Sequence, residues 1–164
     1  MKSIELTPLQ IKGTAFISPI EGYKHGCLLN DIEYETNIDW KHIISMYSPL
    51  QKDDSVWIKE DFDKDIVVGM QNGYPIEKTI TLPASQMQQH QSRYTFDVDD
   101  IEIKRVKDIN LHKWFTIMGA NCMSFGDSYQ IYFNNLMQEL NQPITYNENP
   151  YIILVNHSGL KDTI

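Results

Sequence analysis

Cysteine is scarce in this 164-residue chain, which has only Cys27 and Cys122 and no CxxC spacing. The scarcity excludes a disulfide-rich scaffold and gives no zinc-binding pattern, so we interpret both as reduced thiols of a cytoplasmic protein. No apolar run approaches the roughly 18 residues of a membrane helix, and the first five residues do not resemble a signal peptide. The sequence therefore predicts one soluble globular domain over residues 1–164, with no membrane partner.

Positive charge is also in short supply. The chain has 14 Lys and Arg residues against 22 Asp and Glu, a net charge of −8, and only Arg93 and Arg105 are arginines. Such a balance argues against a protein that coats nucleic acid non-specifically, because neutralising phosphates needs an excess of cations. Both arginines and Lys104 fall in one short stretch, which favours a small basic site for a nucleotide or short strand. The alternative is that these charges form ordinary solvated faces.

Motifs that would assign an enzyme class are missing. The chain has no Walker loop, GxGxxG, HExxH or GxSxG pattern. No two of its five histidines have the helical spacing of metal ligands. They lie at positions 25, 42, 90, 112 and 157. The sequence therefore predicts no metal site and no cofactor.

Alternation and helical periodicity predict a mixed fold. Strands are expected at residues 3–6, 55–59, 66–68 and 151–155, with Gly69 ending the third and an Asn72-Gly73 turn after it. Residues 93–98 and 101–106 are expected to form a hairpin around an Asp99-Asp100 turn. Helices are expected at 111–118, with Asn110 as N-cap, and at 129–140, and a weak helical stripe covers 38–46. The order predicts an α+β fold on a curved, mostly antiparallel sheet.

Apolar side chains should line one side of each helix. For the first helix these are Leu111, Trp114, Phe115 and Met118, and Gly119 is placed to end it. The second helix would bury Ile131, Phe133, Leu136, Met137 and Leu140. Trp114 is therefore predicted to be a core residue rather than a ligand contact.

A polar run rich in glutamine, residues 86–91, precedes the Arg93 strand. Its amides suit hydrogen bonding to base edges, and Trp57 suits stacking on a base. The alternatives are a solvated loop and a tryptophan packed in the core. Arg93 and Thr95 would share the strand face available to a ligand, or that face would simply be half exposed.

Lys59 and Glu60 follow directly after Trp57. A lysine and a carboxylate in a pocket can act as an acid/base pair. At the end of a strand they more commonly form a surface ion pair.

Three segments in order resemble the ASCH domain, a PUA-like family common in phages and prophages. Residues 51–62 resemble its "GD-x-lWVrEtf" strand, residues 92–96 with 101–109 its "SRiTl…v.veRlqdI" hairpin, and residues 149–155 its closing "NPWVwvieF" strand. The match covers residues 50–156, whereas residues 1–50 diverge. The resemblance implies a small curved β-barrel with flanking helices and a cleft for RNA or modified nucleosides.

Some members of this family are amidohydrolases acting on N4-acetylcytidine, and others are reported as ribonucleases. The amidohydrolase reading depends on an N-terminal "GRKTxT" motif and on a glutamate before a glycine in the helix after the hairpin. This chain has only Lys12-Gly13-Thr14 at the first place, and Met118 precedes Gly119 at the second. The groups that would activate water and protonate a leaving amine are thus not matched, which implies a non-catalytic domain.

The main hypothesis is a phage or prophage module that binds RNA, single-stranded nucleic acid or a nucleotide. Arg93, Lys104 or Arg105 would contact phosphate, and Trp57 would stack on a base. Lys59 and Glu60 would line the cleft, beside Thr95.

Two alternatives stay open. A hydrolase with a rearranged site would use Lys12, Thr14, Lys59 and Glu60 on an acylated nucleoside, with Lys12 and Glu60 within hydrogen-bond reach. An acidic adaptor or inhibitor would bind a host protein through residues 31–39. A phage product would act in the host cytoplasm, and the oligomeric state is open.

Overall fold

The computed structural model of the chain describes residues 1–20, 48–119 and 128–163. Both cysteines, the weak helical stripe at 38–46 and the acidic segment 31–39 lie outside the described residues. None of the helices in these ranges has the length and apolar composition of a membrane span.

The described ranges form an α+β fold with eight strands and two α-helices. The β1–β3 pair is parallel and every other strand pair in these ranges is antiparallel. The elements are β1 (Lys2–Glu5), β2 (Ala15–Pro19), β3 (Ser55–Lys59), β4 (Phe62–Gln71), β5 (Tyr74–Leu82), β6 (Tyr94–Arg105), α1 (Leu111–Met118), α2 (Ser128–Glu139), β7 (Tyr151–His157) and β8 (Lys161–Asp162).

Six of these strands make one sheet, in the order β1-β3-β6-β7-β2 with β8 also on β6. The end strands of this path, β1 and β2, do not pair with each other in the described part of the chain, so the sheet is open there. β4 and β5 form a separate two-stranded sheet.

The predicted hairpin at residues 93–106 is wrong, because Tyr94–Arg105 form the single strand β6. Where the turn was expected, the register shifts between Val98 and Asp100 in a β-bulge. Two consecutive aspartates are poor residues for a two-residue hairpin turn, which favours Asn-Gly or Asp-Gly, and the extra residue is absorbed as a bulge instead. β6 pairs with β3 and β8 through residues 94–97 and with β7 from Val98 onwards, across the bulge.

β7 is buried on both faces, as its continuous apolar run predicts. Tyr151, Ile153 and Val155 enter a core between the two parts of the sheet, and Ile152 and Leu154 enter a second core beneath the helices. Phe16 from β2 and Phe96 from β6 belong to the first core, and Trp114 belongs to the second, as predicted. The sheet is therefore covered by helices on one side.

Helix α1 begins and ends where the sequence predicts. The Asn110 side chain accepts a hydrogen bond from the Lys113 backbone N–H at 2.8 Å, and Gly119 has a φ of +80° after the last turn. The predicted apolar stripe is partly wrong: Leu111 and Phe115 are exposed, while Ile117 is buried. The buried stripe of α1 is therefore rotated about the helix axis relative to the prediction. On α2, Ile131 was also predicted to be buried but is exposed.

The β4–β5 hairpin extends beyond the predicted strand, since Gly69 lies inside β4 rather than at its end. A bulge between Val67 and Gly69 accommodates it. The Asn72-Gly73 turn is confirmed: both residues have positive φ, +51° and +80°, as a type I′ turn requires.

Candidate functional site

The Trp57 pocket is a depression of about 680 Å³ on the outer face of the sheet. Trp57 on β3 and Thr95 on β6 face each other in the antiparallel register. Alternation sends Val56 and Ile58, the neighbours of Trp57, into the core instead. The pocket is lined by Met1, Trp57, Gln88, Gln89, His90, Thr95 and Thr163.

Trp57 forms the apolar wall of this pocket. Its relative exposure is only 9%, yet it belongs to neither core cluster. The Lys59 ammonium, two residues along β3, lies 5.3 Å from the centre of the Trp57 ring. The Lys59 side chain has no hydrogen bond or ion pair to any residue within the described ranges. In these ranges its charge contacts the Trp57 ring by a cation–π interaction, beside a pocket whose lining includes no Asp, Glu, Lys or Arg.

The glutamine run forms the other wall. Residues 84–86 and 89–91 are short 3-10 turns. The Gln91 side chain accepts a hydrogen bond from the Gln88 backbone N–H at 2.8 Å, which fixes the second turn. The amide of Gln89 contacts the Met1 sulfur at 3.7 Å. Gln88, Gln89 and His90 from the glutamine run thus line the same depression as Trp57.

Arg93 and Glu60 lie together in a second region, which we call the Arg93 cleft. It consists of two depressions, of about 460 and 570 Å³, that share Glu60, Asp61 and Arg93. Arg93 Nη2 lies 2.5 Å and Nε 3.2 Å from Glu60 Oε1. The side chains are 60% and 12% exposed, respectively. The hydrogen bond to Glu60 raises the pKa of Arg93 above its usual value.

The Arg93 cleft is acidic rather than basic. Its walls carry five carboxylates and two cations, namely Glu5, Glu60, Asp61, Asp63 and Glu139 against Lys64 and Arg93. A phosphate would meet net repulsion here, because the guanidinium already neutralises one carboxylate. The expectation of a basic cleft around Arg93 is therefore corrected. The fold brings residues 60–63, Glu5 and Glu139 beside Arg93. Because these residues are distant from Arg93 in sequence, the local charge around Arg93 in the chain does not predict an acidic cleft.

Arg105 and Lys104 lie at the other end of β6. Arg105 Nη1 donates to the Asn149 carbonyl at 3.0 Å, and its guanidinium lies 4.3 Å from the centre of the Tyr151 ring. Lys104 Nζ is 3.3 Å from Glu102. A strand rises about 3.3 Å per residue, so the two ends of β6 lie tens of ångströms apart along its path. The two arginines do not share one groove.

Glu102 is the centre of a polar network on this end of the sheet. It accepts a hydrogen bond from the Asn156 amide at 3.0 Å and lies 3.9 Å from Lys113 Nζ. Burial opposes ionisation of Glu102, but the bond from Asn156 and the charge of Lys104 outweigh it and lower the pKa. The polar groups here satisfy one another.

The residues of the hydrolase alternative are not assembled by any hydrogen bond within the described ranges. The Thr14 backbone N–H donates to the Thr116 carbonyl at 2.8 Å, and the Lys12 carbonyl lies beside Gly119. No hydrogen bond or ion pair joins Lys12 to Glu60 in this part of the chain. Met118 is buried in the helix-side core. No group of three metal-binding side chains is found among the described residues.

Sequence reasoning missed Glu5, Glu139 and Thr163. Glu5 is the last residue of β1 and Glu139 the last of α2, while Thr163 follows β8. Each is a lone polar residue at the end of an element, and no motif marks it. Only the strand pairing and the packing of α2 bring them to the two pockets.

Comparison with known proteins gives little further information. No family model matches the chain, and no curated protein matches it. One structural similarity is to the crystal structure of protein EF3133 from Enterococcus faecalis V583, described with family model DUF984. The identity is 9% and the TM-score 0.40, over 94% of this chain and 67% of that one. The chemistry of the site is therefore interpreted from its own residues.

Proposed function

We propose that this chain is a non-catalytic, ASCH-like module of phage or prophage type that binds a nucleobase in the Trp57 pocket, as a nucleotide or within a short RNA strand. The proposal includes a PUA-like fold, supported by the long strand β6, which pairs with β3 and β8 on one side of its bulge and with β7 on the other. The observation that carries the proposal is that Trp57 and the Gln88 and Gln89 amides line one depression, with the Lys59 ammonium against the Trp57 ring.

Binding would exchange one contact of Trp57 for another. A cation–π contact at an exposed site is worth about 0.5–1 kcal/mol, whereas stacking a base on an aromatic side chain is worth about 1–3 kcal/mol. A base that displaces the Lys59 ammonium from the ring therefore gains more than is lost. The released ammonium, on its flexible four-carbon stem, then meets the phosphate of the same nucleotide.

The remaining wall would recognise the edge of the base through hydrogen bonds. Side-chain amides of Gln88 and Gln89 offer donors and acceptors, and the Thr95 hydroxyl offers both. Since Lys59 is the only cation we assign to this site, binding should be weakly dependent on salt. One phosphate contact on a single strand gives a slope of about −0.7 in log K against log salt.

The test is calorimetric titration of the four nucleoside monophosphates and of short single-stranded RNAs. Trp57→Ala should weaken binding about 10- to 100-fold, as expected for the loss of one stacked base. Lys59→Gln should weaken it less and flatten the salt dependence. Tyr74→Ala removes an exposed aromatic side chain from the β4–β5 hairpin and is the matched control.

Two results would contradict the proposal. The first is the lack of binding to any of these ligands. The second is an affinity that neither Trp57→Ala nor Lys59→Gln changes. Release of acetate from N4-acetylcytidine would favour the hydrolase alternative instead.

A further inference from the structure

The larger depression of the Arg93 cleft has an apolar floor, and we call it the acidic groove. Its floor consists of Leu6, Pro8, Ile11, Ala84 and Leu140, and its volume is about 570 Å³. This is within the size range of sites that bury a small ligand or a few side chains. Water on such a floor is released when apolar groups of a partner cover it.

Carboxylates surround this floor. Four of them, Glu5, Glu60, Asp61 and Glu139, stand against the single guanidinium of Arg93. Arg93 is already paired with Glu60, and one oxygen of Asp61 accepts the Ala84 backbone N–H at 2.9 Å. Within the described ranges, the side chains of Glu5 and Glu139 have no hydrogen bond or ion pair. Their charges are available to a cation.

The end of α2 adds negative potential at the same place. Glu139 is the last residue of this twelve-residue helix, and Leu140 follows it. The carbonyl groups of a helix C-terminus carry a partial negative charge that favours cations nearby. The groove is thus apolar below and negative around its edge.

We propose that the acidic groove binds a short, basic, amphipathic segment of a partner protein. Apolar side chains of the segment lie on the floor, and its arginine or lysine side chains pair with Glu5 and Glu139. A nucleic acid does not fit, because its phosphates meet four carboxylates. A second copy fits poorly, since the chain has 14 basic against 22 acidic residues. An inorganic cation makes no use of the apolar floor.

Fluorescence anisotropy with the full chain and a labelled decapeptide of alternating leucine and arginine tests this proposal. Glu5→Gln and Glu139→Gln should each weaken binding about 1.5- to fivefold, the range for single exposed ion pairs, and together about tenfold. Glu77→Gln makes the same charge change on the exposed β5 strand and should leave binding unchanged.

A second variant tests the floor. Ala84→Arg places a cation and a long side chain in the groove and should abolish peptide binding, while RNA or nucleotide binding at the Trp57 pocket stays the same. The proposal is overturned if no peptide binds or if Glu77→Gln weakens binding as much as Glu139→Gln. It is also overturned if an alternating arginine–serine peptide binds as tightly as the leucine peptide, because the floor would then be unused.

Discussion

The two parts of strand β6 are both extended but present different surfaces. Before the bulge, β6 lies between β3 and β8 and contributes Thr95 to the Trp57 pocket. After the bulge it lies beside β7 and contributes Glu102 and Lys104 to a closed polar network. A ligand needs groups with unused hydrogen-bonding capacity, so the first part suits binding and the second suits stability. A cationic residue on a strand is therefore no guide to a binding site until its neighbours are known.

The two parts meet at a cluster of three rings. Phe96 lies 5.7 Å from Phe16 and 4.9 Å from His157 between ring centres. His157 is the register partner of Val98, directly at the bulge. The bend of β6 is thus packed from inside by residues of three strands.

Of the substitutions that test this comparison, Phe96→Ala should lower the free energy of unfolding most. Phe96 is fully buried, and truncating a buried phenylalanine costs about 3–5 kcal/mol because apolar contacts are lost and a cavity is left. The change should lower the free energy of unfolding, measured by urea denaturation, by this amount.

Phe115→Ala on helix α1 is the control, since the same side chain is exposed there. Phe115→Ala should lower the free energy of unfolding much less than Phe96→Ala. A loss of under about 1 kcal/mol for Phe96→Ala would mean that the ring cluster does not hold the bend.

Local patterns predicted much of this fold. β7 follows from a continuous apolar run, α1 from the Asn110 cap and Gly119, and the hairpin turn from Asn72-Gly73. Each of these features depends on residues adjacent in the chain and on one dominant effect. The mixed α+β class follows from their order.

The site depended on contacts between distant residues. The alternation on either side of Asp99-Asp100 fits two short strands or one bulged strand equally well, and only the packing of His157 and Phe96 decides. The acidity of the Arg93 cleft arises from Glu5, Glu139 and the carboxylates of residues 60–63, all of which are far from Arg93 in sequence. The polar run beside Trp57 is apparent from residue types alone, whereas its use in binding a base stays a prediction.

The second prediction concerns pH. His157 is buried, and its burial lowers the pKa of the imidazole, with Asp99 acting in the opposite direction. Its Nδ1 accepts the Gly159 backbone N–H at 3.1 Å, which requires a neutral ring. As pH falls below the unfolded value of about 6.5, the unfolded chain takes up a proton that the folded chain does not. Stability should fall by up to about 1.4 kcal/mol per pH unit until the folded pKa is reached.

Urea unfolding at several pH values between 7.5 and 5 measures this slope, and His157→Gln should remove this contribution. The carboxylates with lowered pKa, Asp54, Asp97 and Glu102, lose their contribution only at lower pH, below about 4.5. An unchanged slope in His157→Gln would show that the bend of β6 has no titrating contact.

The smallest predicted effects distinguish the contributions of Arg93 and Arg105 to stability. Arg105→Gln should cost about 1–2 kcal/mol of unfolding free energy, because it removes a charge-assisted hydrogen bond to Asn149 and a contact with the Tyr151 ring. A double-mutant cycle of Arg93→Gln and Glu60→Gln should give a coupling of only about 0.2–1 kcal/mol, since the Arg93 side chain is largely exposed. Added salt should reduce this coupling, because salt screens exposed ion pairs. A coupling well above about 1 kcal/mol, or one that added salt leaves unchanged, would contradict an exposed and screened Arg93–Glu60 ion pair.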